Sequence, residues 1–92
     1  MLFEWSEEKC LENLRKHGID FNDAKEIWQG EVLEVPSDQE HGEPRHLTYG
    51  VLEGRIIAVV FTWRGEVRRL ISARRARRYE RQDYQSIFGK GR

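Results

Sequence analysis

Ile56-Ile57-Ala58-Val59-Val60-Phe61 is an unbroken apolar run of mostly β-branched and aromatic residues, the pattern of a central strand covered on both faces. Its flanks set the topology. Before it, Leu47, Tyr49 and Val51 share one face of a strand, and Glu53-Gly54 makes a turn. After it, Arg64-Gly65 turns the chain into a third strand, Val67 to Ile71. Connections this short permit only antiparallel neighbours, because a parallel return needs a dozen or more residues.

Upstream, Leu2 to Trp5 is short, aromatic and apolar, as an edge strand would be. Ser6 is placed to cap a helix whose first turn carries Glu7 and Glu8 and whose apolar stripe is Cys10, Leu11 and Leu14. Lys16 and His17 followed by Gly18 end it, so the first helix runs from about Glu7 to His17. Asp20 or Asn22 caps a second, with Phe21, Ala24, Ile27 and Trp28 at helical spacing and Gly30 as its stop. Glu31 to Val35 alternates, with Val32 and Glu34 on one face and Leu33 and Val35 on the other. Pro36 to Pro44 is polar and reads as a mobile surface loop. Downstream, Ser72 is a candidate cap for a last helix running from about Ala73 into Tyr84–Phe88. The whole predicts a single α+β domain over residues 1–92, a small antiparallel sheet with two N-terminal helices and one C-terminal helix.

Of the 92 residues, 38% are hydrophobic and 11% aromatic, which excludes a disordered chain. No apolar run approaches the roughly 20 residues of a membrane-spanning helix. The N-terminus carries no signal-peptide pattern, so a cytoplasmic location is expected. One cysteine, Cys10, excludes an internal disulfide framework and a four-cysteine zinc site. The zero net charge hides an asymmetry: residues 1–46 hold 5 basic and 12 acidic residues, net −7, while residues 47–92 hold 11 and 4, net +7. Nine of the 12 arginines lie between Arg55 and Arg81. Arginine makes planar, bidentate contacts with phosphate, so this half is a candidate anion-binding surface. The plainer alternative is solvated charge paired with the acidic half.

On a helix starting near Ala73, Arg74, Arg77, Arg78 and Arg81 fall at i, i+3, i+4 and i+7, on one face. Four like charges so placed destabilise an isolated helix, which calls for an anionic partner or for local counter-charge from Glu80 and Asp83. Arg64, Arg68 and Arg69 extend the stripe onto the preceding hairpin. On the first helix Asn13 and His17 face the same way with Lys16 adjacent. His17 can exchange a proton near neutral pH, or simply end the helix. His41 and His46, with Glu40 and Glu43 nearby, lack metal-ligand spacing, and no metal or cofactor is expected. There is no Gly-x-Ser-x-Gly elbow, phosphate-binding glycine loop or dinucleotide fingerprint. Cys10 reads as core, as do Trp5, Trp28 and Trp63, although Trp63 beside Arg64 can stack on a base. Arginine, histidine, lysine and tyrosine around a phosphate suit metal-independent ribonuclease chemistry: a base takes the 2′-hydroxyl proton, cations stabilise the charge on phosphorus, and an acid protonates the leaving 5′-oxygen. A non-catalytic nucleic-acid-binding module, or a domain docking on an acidic partner, would use the same surface.

Three stretches resemble the BrnT family of toxins: Phe3-Glu4-Trp5-Ser6-Glu7-Glu8-Lys9 with Asn13, then Lys16-His17-Gly18-Ile19-Asp20-Phe21 with Ala24, and then Thr62-Trp63-Arg64-Gly65, Arg69-Leu70-Ile71-Ser72-Ala73-Arg74 and Glu80-Arg81 with Tyr84. The likeness spans about Phe3 to Tyr84. Ser6 stands where the family more often has Asp, Cys10 replaces a small residue, and the stretch from Ser86 to Arg92 has no counterpart. The resemblance implies a RelE-like fold and an endoribonuclease toxin of a type II toxin–antitoxin system, working without metal. It also implies a BrnA-like ribbon-helix-helix antitoxin in a two-toxin, two-antitoxin assembly, with promoter DNA reached through the antitoxin and no membrane partner. By position, it makes His17, Arg64, Arg69 and Arg74 the expected catalytic residues, with His17 moving the proton and the arginines holding the phosphate. Lys16, Thr62, Arg68, Arg77, Arg78, Arg81 and Tyr84 are the expected RNA contacts.

Overall fold

The computed structural model describes residues 1–36 and 43–89. Strand β1 (Leu2–Glu4) leads into helix α1 (Glu7–His17) and a short helix α2 (Phe21–Ala24) that tightens into a 3-10 turn, Lys25–Gln29. Strands β2 (Leu33–Pro36), β3 (His46–Leu52), β4 (Arg55–Arg64) and β5 (Val67–Arg75) follow, and helix α3 (Arg78–Phe88) ends the domain. The five strands form one sheet in the order β1-β5-β4-β3-β2, so β4 is central, as its apolar run predicts. The first helix has the expected bounds. Ser6 Oγ accepts from the Lys9 N–H at 3.3 Å, and Gly18 (φ +72°) returns its N–H to the Leu14 carbonyl. Most of the Pro36–Pro44 loop, including His41, lies outside the described residues.

Two expectations need correction. The sheet is mixed: β1 is an edge strand, but it pairs parallel to β5, with Leu2, Phe3 and Glu4 opposite Val67, Arg68 and Arg69. The short-connection rule governs β3, β4 and β5, which are antiparallel, whereas more than sixty residues of chain separate β1 from β5 and serve as its crossover. The last helix does not begin near Ala73, and Ser72 caps nothing. Instead β5 continues to Arg75, pairing as far as Ile57 with a register shift between Val60 and Phe61. The ten-residue β4 compels this, since its first half would otherwise carry unpaired backbone groups along one side. Helix α3 therefore starts at Arg78, with the Arg77 N–H bonded to Glu80 Oε1 at 2.7 Å.

Each sheet face has its own cover. Against the first face, α1, α2 and the 3-10 turn press Cys10, Ile19, Phe21, Ala24 and Ile27 onto Ile57, Val59, Phe61, Leu70 and Ala73. Gly50 leaves room on this face for Ile27, whose Cβ would stand 2.7 Å from a Cβ at that position. Across the second face, α3 packs Tyr84 and Phe88 over Tyr49, Ala58, Leu33, Leu47 and Ile56. Among the described residues no helix is long and apolar enough to cross a membrane.

Candidate functional site

Strand register decides where the arginines go. On the second face, Glu4, Arg69 and Thr62 sit side by side across β1, β5 and β4, and Arg64 lies diagonal to Arg69. On β4, α3 packs on Ala58 and Ile56, so this row lies beyond the β4 residues that the helix covers. Arg69 Nη1 donates to Glu4 Oε2 at 2.9 Å, with both side chains about a third exposed. Thr62 is buried, its hydroxyl donating to the Pro44 carbonyl at 2.8 Å, while Arg64 is exposed without a carboxylate partner among the described residues. The row thus combines a carboxylate, a guanidinium bound to it and a second, free guanidinium.

Arg74 is on the same face but two rows further along β5, where α3 covers it. It makes a two-pronged ion pair with Glu80, Nη1 to Oε1 at 2.7 Å and Nη2 to Oε2 at 2.9 Å, and Glu80 is fully buried. Burial alone would raise the Glu80 carboxyl, but the Arg74 bonds and the Arg77 N–H outweigh it and hold the group below its ordinary value. The same bonds raise Arg74 against the opposing effect of burial. Arg74 is therefore not a cation at a helix N-terminus. The four-arginine helical face dissolves with it: Arg74 is on a strand, Arg77 precedes the helix, and only Arg78 and Arg81 are in it.

Arg68 faces the other way, its guanidinium carbon among aromatic rings, 4.5 Å from the Trp63 centroid, 4.9 Å from Trp28 and 5.2 Å from Phe61, with Glu34 at 3.6 Å. Its side chain is 13% exposed, so it holds the first face together rather than lying open to RNA. Trp5 and Trp28 pack against the core as expected, whereas Trp63 is 43% exposed. Tyr84 is buried and donates to the Glu31 carbonyl at 3.0 Å. Along α3, Tyr79 and Ile87 are exposed and Glu80 and Tyr84 are the buried positions.

His17 and Lys16 are exposed at the end of α1, and Asn13 between α1 and β5 is buried. His17 lines a hollow of about 120 Å³ with Leu52, Arg55 and Arg75, at the opposite end of β4 from Arg64. The ten residues from Arg55 to Arg64, nine steps of strand rise, span about 30 Å. His17, Arg64, Arg69 and Arg74 consequently do not converge on one spot. Strand pairing brings Glu4 to Arg69, and Arg55 and Arg75 toward His17, and none of Glu4, Arg55 and Arg75 was expected at a site. The signal for Arg55 and Arg75 was present in the period-two alternation through Ile57, but reading residues 73–77 as helix hid it. Among the described residues no group of three or more His, Cys, Asp or Glu side chains is arranged to hold a metal ion.

Against known proteins, the model of the family described as ribonuclease toxin, BrnT, of type II toxin–antitoxin system matches residues 5–80. No curated protein matches the chain.

Proposed function

The chain belongs to the BrnT family of ribonuclease toxins of type II toxin–antitoxin systems, and from that membership we propose that it is an endoribonuclease that works without metal, in the cytoplasm, and arrests growth and translation by cutting RNA. The observation that carries the proposal is the Glu4–Arg69 pair at 2.9 Å beside Thr62 and Arg64, on the part of the sheet beyond α3. A carboxylate and two guanidiniums supply what the chemistry needs. Arg69 and Arg64 hold the non-bridging oxygens of the scissile phosphodiester; with five donors, Arg69 serves both the phosphate and Glu4. Glu4 takes the 2′-hydroxyl proton as that oxygen attacks phosphorus. The bond from phosphorus to the 5′-oxygen breaks, leaving a 2′,3′-cyclic phosphate and a 5′-hydroxyl that takes its proton from water. In this reading the proton-transfer role expected of His17 passes to Glu4, because His17 stands at the other end of the sheet. Arg74 stays with Glu80 and supports the fold.

The neutralising partner in this reading is a BrnA-like ribbon-helix-helix antitoxin, in a two-toxin, two-antitoxin assembly that reaches promoter DNA through the antitoxin. A module that binds RNA or a partner without cutting is the competing reading. Induced expression without an antitoxin separates them. Glu4→Gln and Arg69→Ala abolish growth arrest at unchanged protein level while His17→Ala retains it. Arrest that survives Glu4→Gln and Arg69→Ala contradicts the proposal.

A further inference from the structure

At the end of the sheet away from Glu4 and Arg69, a cavity of about 500 Å³ opens between the start of β4, the end of β5 and α3. Three of its lining residues are arginines, Arg55, Arg75 and Arg81, with Gln85 as the amide among them and no carboxylate. The contrast with the other arginines is the informative point. Arg68, Arg69 and Arg74 each have a carboxylate within 4 Å, whereas Arg55, Arg75 and Arg81 have none among the described residues. Arg81 is held in place by a 2.6 Å bond from Nη1 to the Ala76 carbonyl. Arg75 and Arg55 project from neighbouring strands, since Arg75 pairs with Ile57. Three guanidiniums on one concavity repel one another. Although Asp23 and Glu53 line the adjoining hollow with Arg55 and Arg75, no carboxylate among the described residues forms an ion pair with any of the three.

We infer that this cavity binds backbone phosphates of the RNA, on the stretch flanking the bond that is cut. The inference rests on the ribonuclease reading for the identity of its ligand. Guanidinium forks match phosphate oxygens bidentately, and the Gln85 amide adds a neutral donor. The cavity and the Glu4–Arg69 row lie toward opposite ends of β4, Arg55 and Thr62 being about 23 Å apart by strand rise. A dinucleotide therefore reaches only one of them, whereas a strand of about a dozen nucleotides, within the site sizes of single-strand binders, reaches both.

The test uses Arg55→Ala/Arg75→Ala and two RNAs: an uncleavable 2′-O-methyl strand of about a dozen nucleotides, read for affinity, and a cleavable dinucleotide, read for turnover. The expected result is an affinity for the long strand at least tenfold lower. The slope of log affinity against log salt becomes shallower by about 1.4, two phosphates at about 0.7 each for single strands. Dinucleotide turnover stays as it was. Unchanged affinity and slope, in a variant whose circular dichroism matches the parent, overturn the inference. So does a loss confined to antitoxin binding, which would make the cavity a seat for an acidic protein segment. Because affinity is read on RNA that cannot be cut, a parent protein that binds through this cavity but cleaves nothing would sink the ribonuclease reading and uphold the cavity.

Discussion

Asn13 pairs with the backbone of Ala73 as a neighbouring strand would. Its Nδ2 donates to the Ala73 carbonyl at 2.9 Å, and its Oδ1 accepts from the Ala73 N–H at 3.0 Å. β1 pairs with β5 only at Val67–Arg69, so from Leu70 onward β5 would present an unsatisfied edge; the side chain of α1 closes it at one residue. Asn13 Nδ2 also donates to the Ile19 carbonyl at 2.9 Å, which ties the turn after α1 to the same point. Asn13→Ala orphans buried groups of two residues and is expected to cost about 2–4 kcal/mol, read as a lower urea midpoint with an unchanged slope. A cost under half a kcal/mol in the same titration would mean that water replaces the amide.

The Arg74–Glu80 pair anchors the start of α3 to the sheet. Glu80→Ala leaves a largely buried guanidinium without its partner and is expected to cost about 3 kcal/mol, lowering the melting temperature by about 15 °C for a domain of this size.

The same carboxyl sets an acid limit. Its folded-state pKa lies below the ordinary 4.5, so its contribution to stability is complete above that pH and is lost as pH falls through the lowered value. Unfolding free energy measured from pH 6 down to pH 2 should fall less steeply in Glu80→Gln than in the parent.

Tyr49 sets the alkaline counterpart. Burial first, and then the charge of Glu80, push its phenol from 10.0 up to about 12. The folded state keeps a proton that the unfolded chain releases, so the associated stability is full below pH 10 and declines between pH 10 and 12. Absorbance titration should show a late phenol component near pH 12 that Tyr49→Phe removes.

Gly50→Ala tests the seat of the 3-10 turn. The added Cβ meets the Cβ of Ile27 at 2.7 Å, an atom that no rotamer change can move. The expected cost is about 1–3 kcal/mol, seen as a reduced denaturation midpoint.

Much of this was legible in the residues. The cap at Ser6, the stop at Gly18 and the apolar run of Ile56–Phe61 are local signals, and α1 and β4 follow from them. What the chain order hid is non-local. Residues 73–77 carry alanines and arginines that suit a helix, but pairing with the long β4 overrides that propensity and carries Arg74 into a buried bond with Glu80. The partnership of Glu4 with Arg69 depends on a parallel pairing across 65 positions, which no spacing within either segment announces. Burial of Arg68 under Trp63 and Trp28 was likewise invisible, because Arg64, Arg68 and Arg69 look alike until strand alternation sends them to different faces.

Cleavage of a defined single-stranded RNA by the purified protein in excess chelator bears most directly on the central claim, that Glu4 and Arg69 form a metal-free reacting pair. The account predicts fragments ending in 2′,3′-cyclic phosphate from the parent and from His17→Ala, and a rate at least a hundredfold lower for Glu4→Gln, in line with loss of a general base. Cleavage that stops on chelation, or that proceeds undiminished in Glu4→Gln, would contradict it.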